Sequence, residues 1–273
     1  MKIILDGIEY YAYTASHEPN PDLETVVFVH GTAMDHTVWA LQSRYFAYHG
    51  YNILAINLPG HNLSRGKLLP TIEDMGDWLG EIMSTSVGKA LHLAGHSMGA
   101  LIALQAASHY NDNANQGAPL RSLSLVGFSY PMNVAPPLLD AAKNDPVKAY
   151  SMMTQWSHAS KIGGEPNPGF WSPGMQMSMM KNSPEGAVFT DLNACNNYVT
   201  GEQALEKITC PTLFISGQLD KMAPAKLAVI HSQKNDLAEI TMIPKCGHAL
   251  MSEQPDRVLA ELKEFIGKNS SQP

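Results

Sequence analysis

The sequence predicts an α/β protein: an eight-stranded, mostly parallel sheet flanked by helices, with a helical segment inserted between two strands. Three observations carry this expectation. Short apolar runs without polar alternation recur along the chain, as strands buried on both faces require. Helical patterns lie between them, the alternation of a parallel sheet covered on both sides. One interval, residues 130–206, contains no such run.

The elements follow in order. Lys2–Leu5 and Ile8–Tyr13 flank Asp6-Gly7, a hairpin signal that opens the chain with two antiparallel strands. Thr25-Val26-Val27-Phe28-Val29 is the first buried run. Asn52-Ile53-Leu54-Ala55-Ile56, Leu91-His92-Leu93-Ala94, Leu123-Ser124-Leu125-Val126, Thr212-Leu213-Phe214-Ile215 and Ile240-Thr241-Met242-Ile243 complete the eight strands. Before a helix over residues 71–83, Thr71 reads as the N-cap with Asp74 three residues on, and Ile72, Met75, Leu79, Ile82 and Met83 form one face. In the final helix Pro255 suits the first turn and Asp256 the positive dipole end. Val258, Leu259, Leu262, Phe265 and Ile266 make its buried stripe, and the chain end from Lys268 reads as frayed. Within residues 130–206, Asp145-Pro146 and Ser183-Pro184 mark helix starts around the Gly/Pro-rich loop 163–169. The expected organisation is a core of residues 1–129 and 207–273 with a helical insertion of residues 130–206.

Composition narrows the classes of function. The 273 residues are 44% hydrophobic and 16% charged with net charge -7, so the chain is long enough for a full core and mildly acidic. That balance argues against a nucleic-acid binder, which concentrates Lys and Arg on one face. No signal-peptide pattern opens the chain, and no apolar stretch approaches the roughly 18 residues of a membrane span. The expectation is a soluble cytoplasmic protein. Cys195, Cys210 and Cys246 match neither a disulfide framework nor a paired-cysteine zinc site, so reduced thiols are expected.

The chemistry centres on Gly95-His96-Ser97-Met98-Gly99, where a strand ends and a helix begins at once. Glycines on both sides let backbone pass close, and Ser97 is pushed into a strained, exposed position at a helix N-terminus. A serine there is still a poor nucleophile without a base, and the base needs an orienting acid. Asp220 follows the run ending at Ile215, and His248 follows the last strand through Pro244-Lys245-Cys246-Gly247. Strand ends of an open α/β sheet converge on one edge, so these three remote residues can meet. Beside them, Gly31 lets the N–H of Thr32 approach the N–H of Met98, and two donors aimed at one point form an oxyanion hole.

The order His30-Gly31, Gly95-x-Ser97-x-Gly99, Gly217-x-x-Asp220 and Gly247-His248, each at a strand end, resembles the α/β-hydrolase family, including its microbial carboxylesterases. The likeness spans essentially the whole chain, and it implies that the insertion, residues 130–206, is a helical cap, or lid, since it falls where that family carries one. It implies Ser97 as nucleophile, His248 as general base and then acid, Asp220 as orienting carboxylate, and the N–H groups of Thr32 and Met98 as oxyanion donors. Asn57-Leu58-Pro59-Gly60-His61-Asn62-Leu63-Ser64 departs from the family's Asp-x-Pro-Gly-His-Gly-x-Ser loop at its first and sixth positions. Asn62 tolerates a left-handed backbone, so the turn can survive.

Other readings are weighed beside these. Asp191, in the insertion, is a weaker candidate acid because nothing ties it to the sheet edge. His92 and His96 stand four apart but fall on a strand and its turn without a third ligand, so neither metal nor cofactor is implied. His30 reads as hydrogen-bonded within its loop, and Cys246 as a small buried residue. Met152, Met153, Trp156, Phe170, Trp171, Met177 and Met180 offer apolar surface for a substrate pocket under the cap. The expected partner is a small carboxylic ester with an apolar group. A thioesterase, an acyltransferase, a carbon–carbon bond hydrolase and a non-enzymatic ligand receptor remain alternatives, although Ala249 stands where carbon–carbon hydrolases commonly place tryptophan.

Overall fold

The computed structural model describes residues 1–110, 117–159 and 171–271. Its strands are β1 (Lys2–Leu5), β2 (Ile8–Tyr13), β3 (Thr25–Val29), β4 (Asn52–Ile56), β5 (Leu91–His96), β6 (Leu120–Val126), β7 (Thr212–Gly217) and β8 (Ala238–Ile243). They form one sheet in the order β1-β2-β4-β3-β5-β6-β7-β8. The opening hairpin joins antiparallel to β4, and every pair from β4–β3 to β7–β8 is parallel. The order doubles back at β3, which lies between β4 and β5, so ligands have a crevice at the carboxyl ends of these strands.

The helices are α1 (Ala40–Ala47), α2 (Ile72–Ser84), α3 (Met98–Tyr110), α4 (Pro136–Asn144), α5 (Pro146–Ser157), α6 (Ser172–Lys181), α7 (Ala187–Asn197), α8 (Gly201–Glu206), α9 (Ala225–Ser232), α10 (Leu250–Glu253) and α11 (Pro255–Asn269). Side-chain alternation splits the core into two layers. Val27, Val29, Leu54, Ile56 and Leu93 face α2 and α3 on one side. Val26, Phe28, Ile53, Ala55 and Ala94 face α1 and α11 on the other. The Thr71 side chain caps α2 by accepting the Asp74 N–H at 3.0 Å. Helix α3 is apolar nearly all round because it is buried nearly all round, behind the strand that precedes it.

Helices α4–α8 intervene between β6 and β7. Helices α4–α7 build a satellite core in which Leu138, Met153, Met180 and Leu192 pack with Ala33 from the loop after β3, while Ala204 of α8 joins the core that faces α2 and α3. Asp145 caps α5, accepting the Lys148 N–H at 3.2 Å. Helix α7 starts at Ala187 rather than at Pro184, after Gly186 takes a left-handed φ of 81°. The loop 163–169 lies outside the described residues.

Two differences from expectation have simple causes. Strand β8 is half exposed, with Glu239, Ile240 and Met242 open to solvent, because it is the sheet's edge. The chain end is not frayed through Ser271: α11 continues to Asn269, and Ser270 and Ser271 donate hydrogen bonds to the buried carboxylate of Glu24. The same carboxylate faces His92, whose other ring nitrogen meets Ser122. Among the described residues, no helix is long and apolar enough to cross a membrane.

Candidate active site

The turn from β5 to α3 is as tight as two glycines permit. A Cβ on Gly95 would lie 2.0 Å from the Gly99 carbonyl oxygen, and one on Gly99 would lie 2.4 Å from the carbonyl oxygens of both Val29 and His30. Between them Ser97 takes a left-handed φ of 56°, a conformation costing an L-residue about 1–2 kcal/mol. The turn aims the Ser97 side chain back over the carboxyl ends of the strands.

Two other strand ends meet it there. The Ser97 hydroxyl donates to His248 Nε2 at 2.8 Å. Because a carboxylate only accepts, the Nδ1 proton of His248 donates to Asp220 Oδ2, at 2.7 Å. The other carboxylate oxygen, Oδ1, accepts the N–H groups of Met222 and Ala223 at 2.9 and 2.8 Å, which fixes its plane. All three residues are buried, Ser97 at 8% exposure. The array can move a proton from hydroxyl to imidazole while the carboxylate stabilises the resulting imidazolium.

Glycines also seat the histidine loop. A Cβ on Gly217 would stand 2.1 Å from the Gly247 carbonyl oxygen, and one on Gly247 would stand 2.6 Å from that of Ser157 at the end of α5. Glu253 clamps the contact, accepting Gly247 N–H at 2.7 Å and Ala159 N–H at 2.8 Å. From below, His96 Nε2 donates to the His248 carbonyl at 2.9 Å. Burial first, and then the neighbouring His248 ring, push the His96 pKa down to about 3. His30 is likewise held neutral, its pKa lowered by burial to about 4: Nδ1 donates to the Gly31 carbonyl, and Nε2 accepts the Leu58 N–H.

Thr32 follows Gly31 in the loop after β3 and reaches Met98, its hydroxyl 3.9 Å from the thioether sulfur. Among the described residues, neither the Thr32 N–H nor the Met98 N–H has a protein acceptor. A cavity of about 120 Å³ opens above Ser97, lined by Thr32, Ser97 and His248 from the sheet side and by Leu138, Met153 and Trp156 from the inserted helices.

The remaining apolar candidates distribute differently. Met180 is fully buried in the satellite core, and Met152 and Met177 pack against that core rather than line the cavity. Trp171 is 74% exposed, and Phe170 lies outside the described residues. Residues not anticipated line the cavity instead, including Met34, Gln176, Cys195, Lys221 and Met222. Cys246 is fully buried, its thiol pKa raised chiefly by desolvation. Among the described residues, no group of three or more His, Cys, Asp or Glu side chains is placed to hold a metal ion.

Asp191 does reach the sheet edge. Its fully buried Oδ2 accepts the Ala33 N–H at 2.8 Å and faces His61 Nε2 at 3.1 Å. His61 belongs to the loop after β4, where Asn62 has a left-handed φ of 45° and donates to Asp35.

Residues 26–261 match the family model described as "Alpha/beta hydrolase family", and the chain belongs to that family. Two curated relatives align over nearly the whole length. One is the (E)-2-((N-methylformamido)methylene)succinate hydrolase of Acinetobacter baylyi, 24% identical over 257 residues, 93% of this chain and 94% of that protein. The other is the pimeloyl-[acyl-carrier protein] methyl ester esterase of Nitrosospira multiformis, 25% identical over 264 residues, 93% of this chain and 97% of that protein. Among solved structures, the enol-lactonase from Burkholderia xenovorans superposes with a TM-score of 0.81 at 18% identity, covering 98% of this chain and 100% of its own. The protein is therefore a hydrolase of the α/β fold.

Proposed function

We propose that the protein hydrolyses a small carboxylic ester with an apolar acyl or alcohol group, through an acyl-enzyme on Ser97. The observation that carries this reading is the relay of 2.8 and 2.7 Å contacts from Ser97 through His248 to Asp220, beneath a largely apolar cavity and beside two amide groups that have no protein acceptor among the described residues. Ser97 Oγ attacks the ester carbonyl as its proton passes to His248 Nε2. The tetrahedral oxyanion rests on the N–H groups of Thr32 and Met98. His248 then returns the proton to the departing alcohol, leaving the acyl group on Ser97. Water enters, gives its proton to His248, and the same steps release the carboxylic acid.

The cavity supports a short substituent, since about 120 Å³ is well below the ~300–1,000 Å³ of sites for drug-sized ligands. The inserted helices act in this reading as a cap that excludes water from the acyl group. The Nitrosospira relative, named for a methyl ester, is consistent with ester chemistry. The test is turnover of p-nitrophenyl and thioester acyl series, with fluorophosphonate labelling mapped by peptide. Wild type should label at Ser97 and favour oxygen esters of short acyl chains, and Ser97→Ala should lose about 10⁶ in kcat. Wild-type turnover by Ser97→Ala would refute the assignment.

A further inference from the structure

We infer that Asp191, on the inserted helix α7, is a positioning residue for the oxyanion hole: by holding the Ala33 N–H it fixes the turn that aims the Thr32 N–H at the reacting carbonyl. This rests on the ester-hydrolase reading above and goes beyond it, by making α7 part of the apparatus that stabilises the transition state.

The geometry is specific. One carboxylate oxygen, Asp191 Oδ2, takes the Ala33 N–H at 2.8 Å across 158 residues of sequence. Ala33 is fully buried and has a left-handed φ of 52°. A non-glycine residue stays in that region only when its surroundings over-determine it. Successive amides here point to different places: that of Ala33 to the carboxylate, while that of Thr32 has no protein acceptor among the described residues. Without an acceptor the Ala33 amide would be buried and unpaired, a loss that favours turning of the peptide.

The charge of Asp191 is balanced at the same oxygen. His61 Nε2 lies 3.1 Å away, and His61 Nδ1 lies 3.1 Å from the Pro59 carbonyl, so both ring nitrogens face acceptors. Both therefore carry protons, and the ring is an imidazolium paired with a buried carboxylate. Three segments thus converge on one atom: the turn after β3, the loop after β4, and α7. Seating of α7 and formation of the oxyanion hole become a single event.

The test compares kcat and KM on p-nitrophenyl acetate, melting temperature, and amide exchange at Ala33. Asp191→Ala should lose roughly 10²–10³ in kcat, the scale of one oxyanion donor, with KM changed less than about threefold. Asp191→Asn keeps an acceptor oxygen and should recover kcat to within about tenfold of wild type. The double variant D191L/H61L replaces the ion pair by apolar volume, which commonly preserves stability; it should stay folded yet lose kcat as Asp191→Ala does. Ala33 exchange should accelerate in Asp191→Ala and D191L/H61L but not in Asp191→Asn. Wild-type kcat in folded D191L/H61L, or equal losses in the Asn and Ala variants, overturns the proposal. Should wild type fail on every ester, the reaction assignment falls separately and exchange decides this one: unchanged Ala33 protection in Asp191→Ala overturns it, and faster exchange supports it.

Discussion

His96 Nε2 donates to the backbone carbonyl of His248 at 2.9 Å, so the residue preceding Ser97 supports the loop that carries His248. The two rings lie 5.0 Å apart at 42°, and His96 is 2% exposed. Replacing His96 by Phe keeps ring volume and removes the donor. Expected is a fall of about tenfold in kcat on p-nitrophenyl esters with little change in KM, from a base displaced by a fraction of an ångström. An unchanged kcat would show that the loop holds itself.

Acid should unfold the protein through its buried neutral histidines. His96 and His30 have folded pKa values of about 3 and about 4, against 6.5 when unfolded. Below pH 6.5 the unfolded rings take up protons that the folded rings refuse, so stability falls as pH drops towards those values. Each ring contributes a slope of roughly 1.4 kcal/mol per pH unit. Urea midpoints at pH 7, 5.5 and 4.5 check this, and His96→Gln should flatten the curve.

His61 behaves in the opposite sense. Burial alone would lower its pKa, but Asp191, by charge and hydrogen bond, with help from the Pro59 carbonyl and Asp35, raises it, and the neighbouring His30 ring is neutral. Its contribution is complete below the unfolded pKa of 6.5 and is lost as pH rises through the folded value. A decline of kcat and of α7 protection is expected as pH rises above 6.5 through the folded value, absent in D191L/H61L. Hydrogen exchange of α7 across that range measures it.

Ser97 is strained for its position, and relief should be measurable. Glycine accepts a φ of 56° without the cost of a Cβ. Ser97→Gly is expected to abolish turnover while raising stability by about 1 kcal/mol. Denaturant midpoints of the two proteins decide it.

Acyl size should follow the cavity walls. Trp156 and Met153 close it from the α5 side. Trp156→Ala should shift the preferred p-nitrophenyl ester to longer chains, lowering KM for octanoate relative to acetate by about tenfold, a change within the ~1–3 kcal/mol that apolar pocket contacts supply. An unaltered chain-length profile would place the acyl group elsewhere.

Most of the sheet was legible because parallel strands buried on both faces leave uninterrupted apolar runs, and Ser97, Asp220 and His248 could be read as neighbours because each follows such a run. Helix α1 was not, since it buries the polar Gln42 and Ser43 alongside Phe46, which erases an amphipathic stripe. The walls of the cavity were only partly legible: methionine-rich composition announces apolar packing, yet whether Met180 meets substrate or core depends on how helices rotate against each other. Asp191 looked detached because its partners, Ala33 and His61, lie in loops whose approach depends on the fold of everything between them.

The groups assembled around Ser97 come from the whole length of the chain, from Thr32 near one end to His248 near the other, with Asp191 reaching back to Ala33. Translation therefore lays down Ser97 151 residues before His248. In the proposed mechanism a chain halted before β8 holds a serine with no imidazole to take its proton, so acylation of Ser97 is gained only once the loop after that strand has folded back onto it.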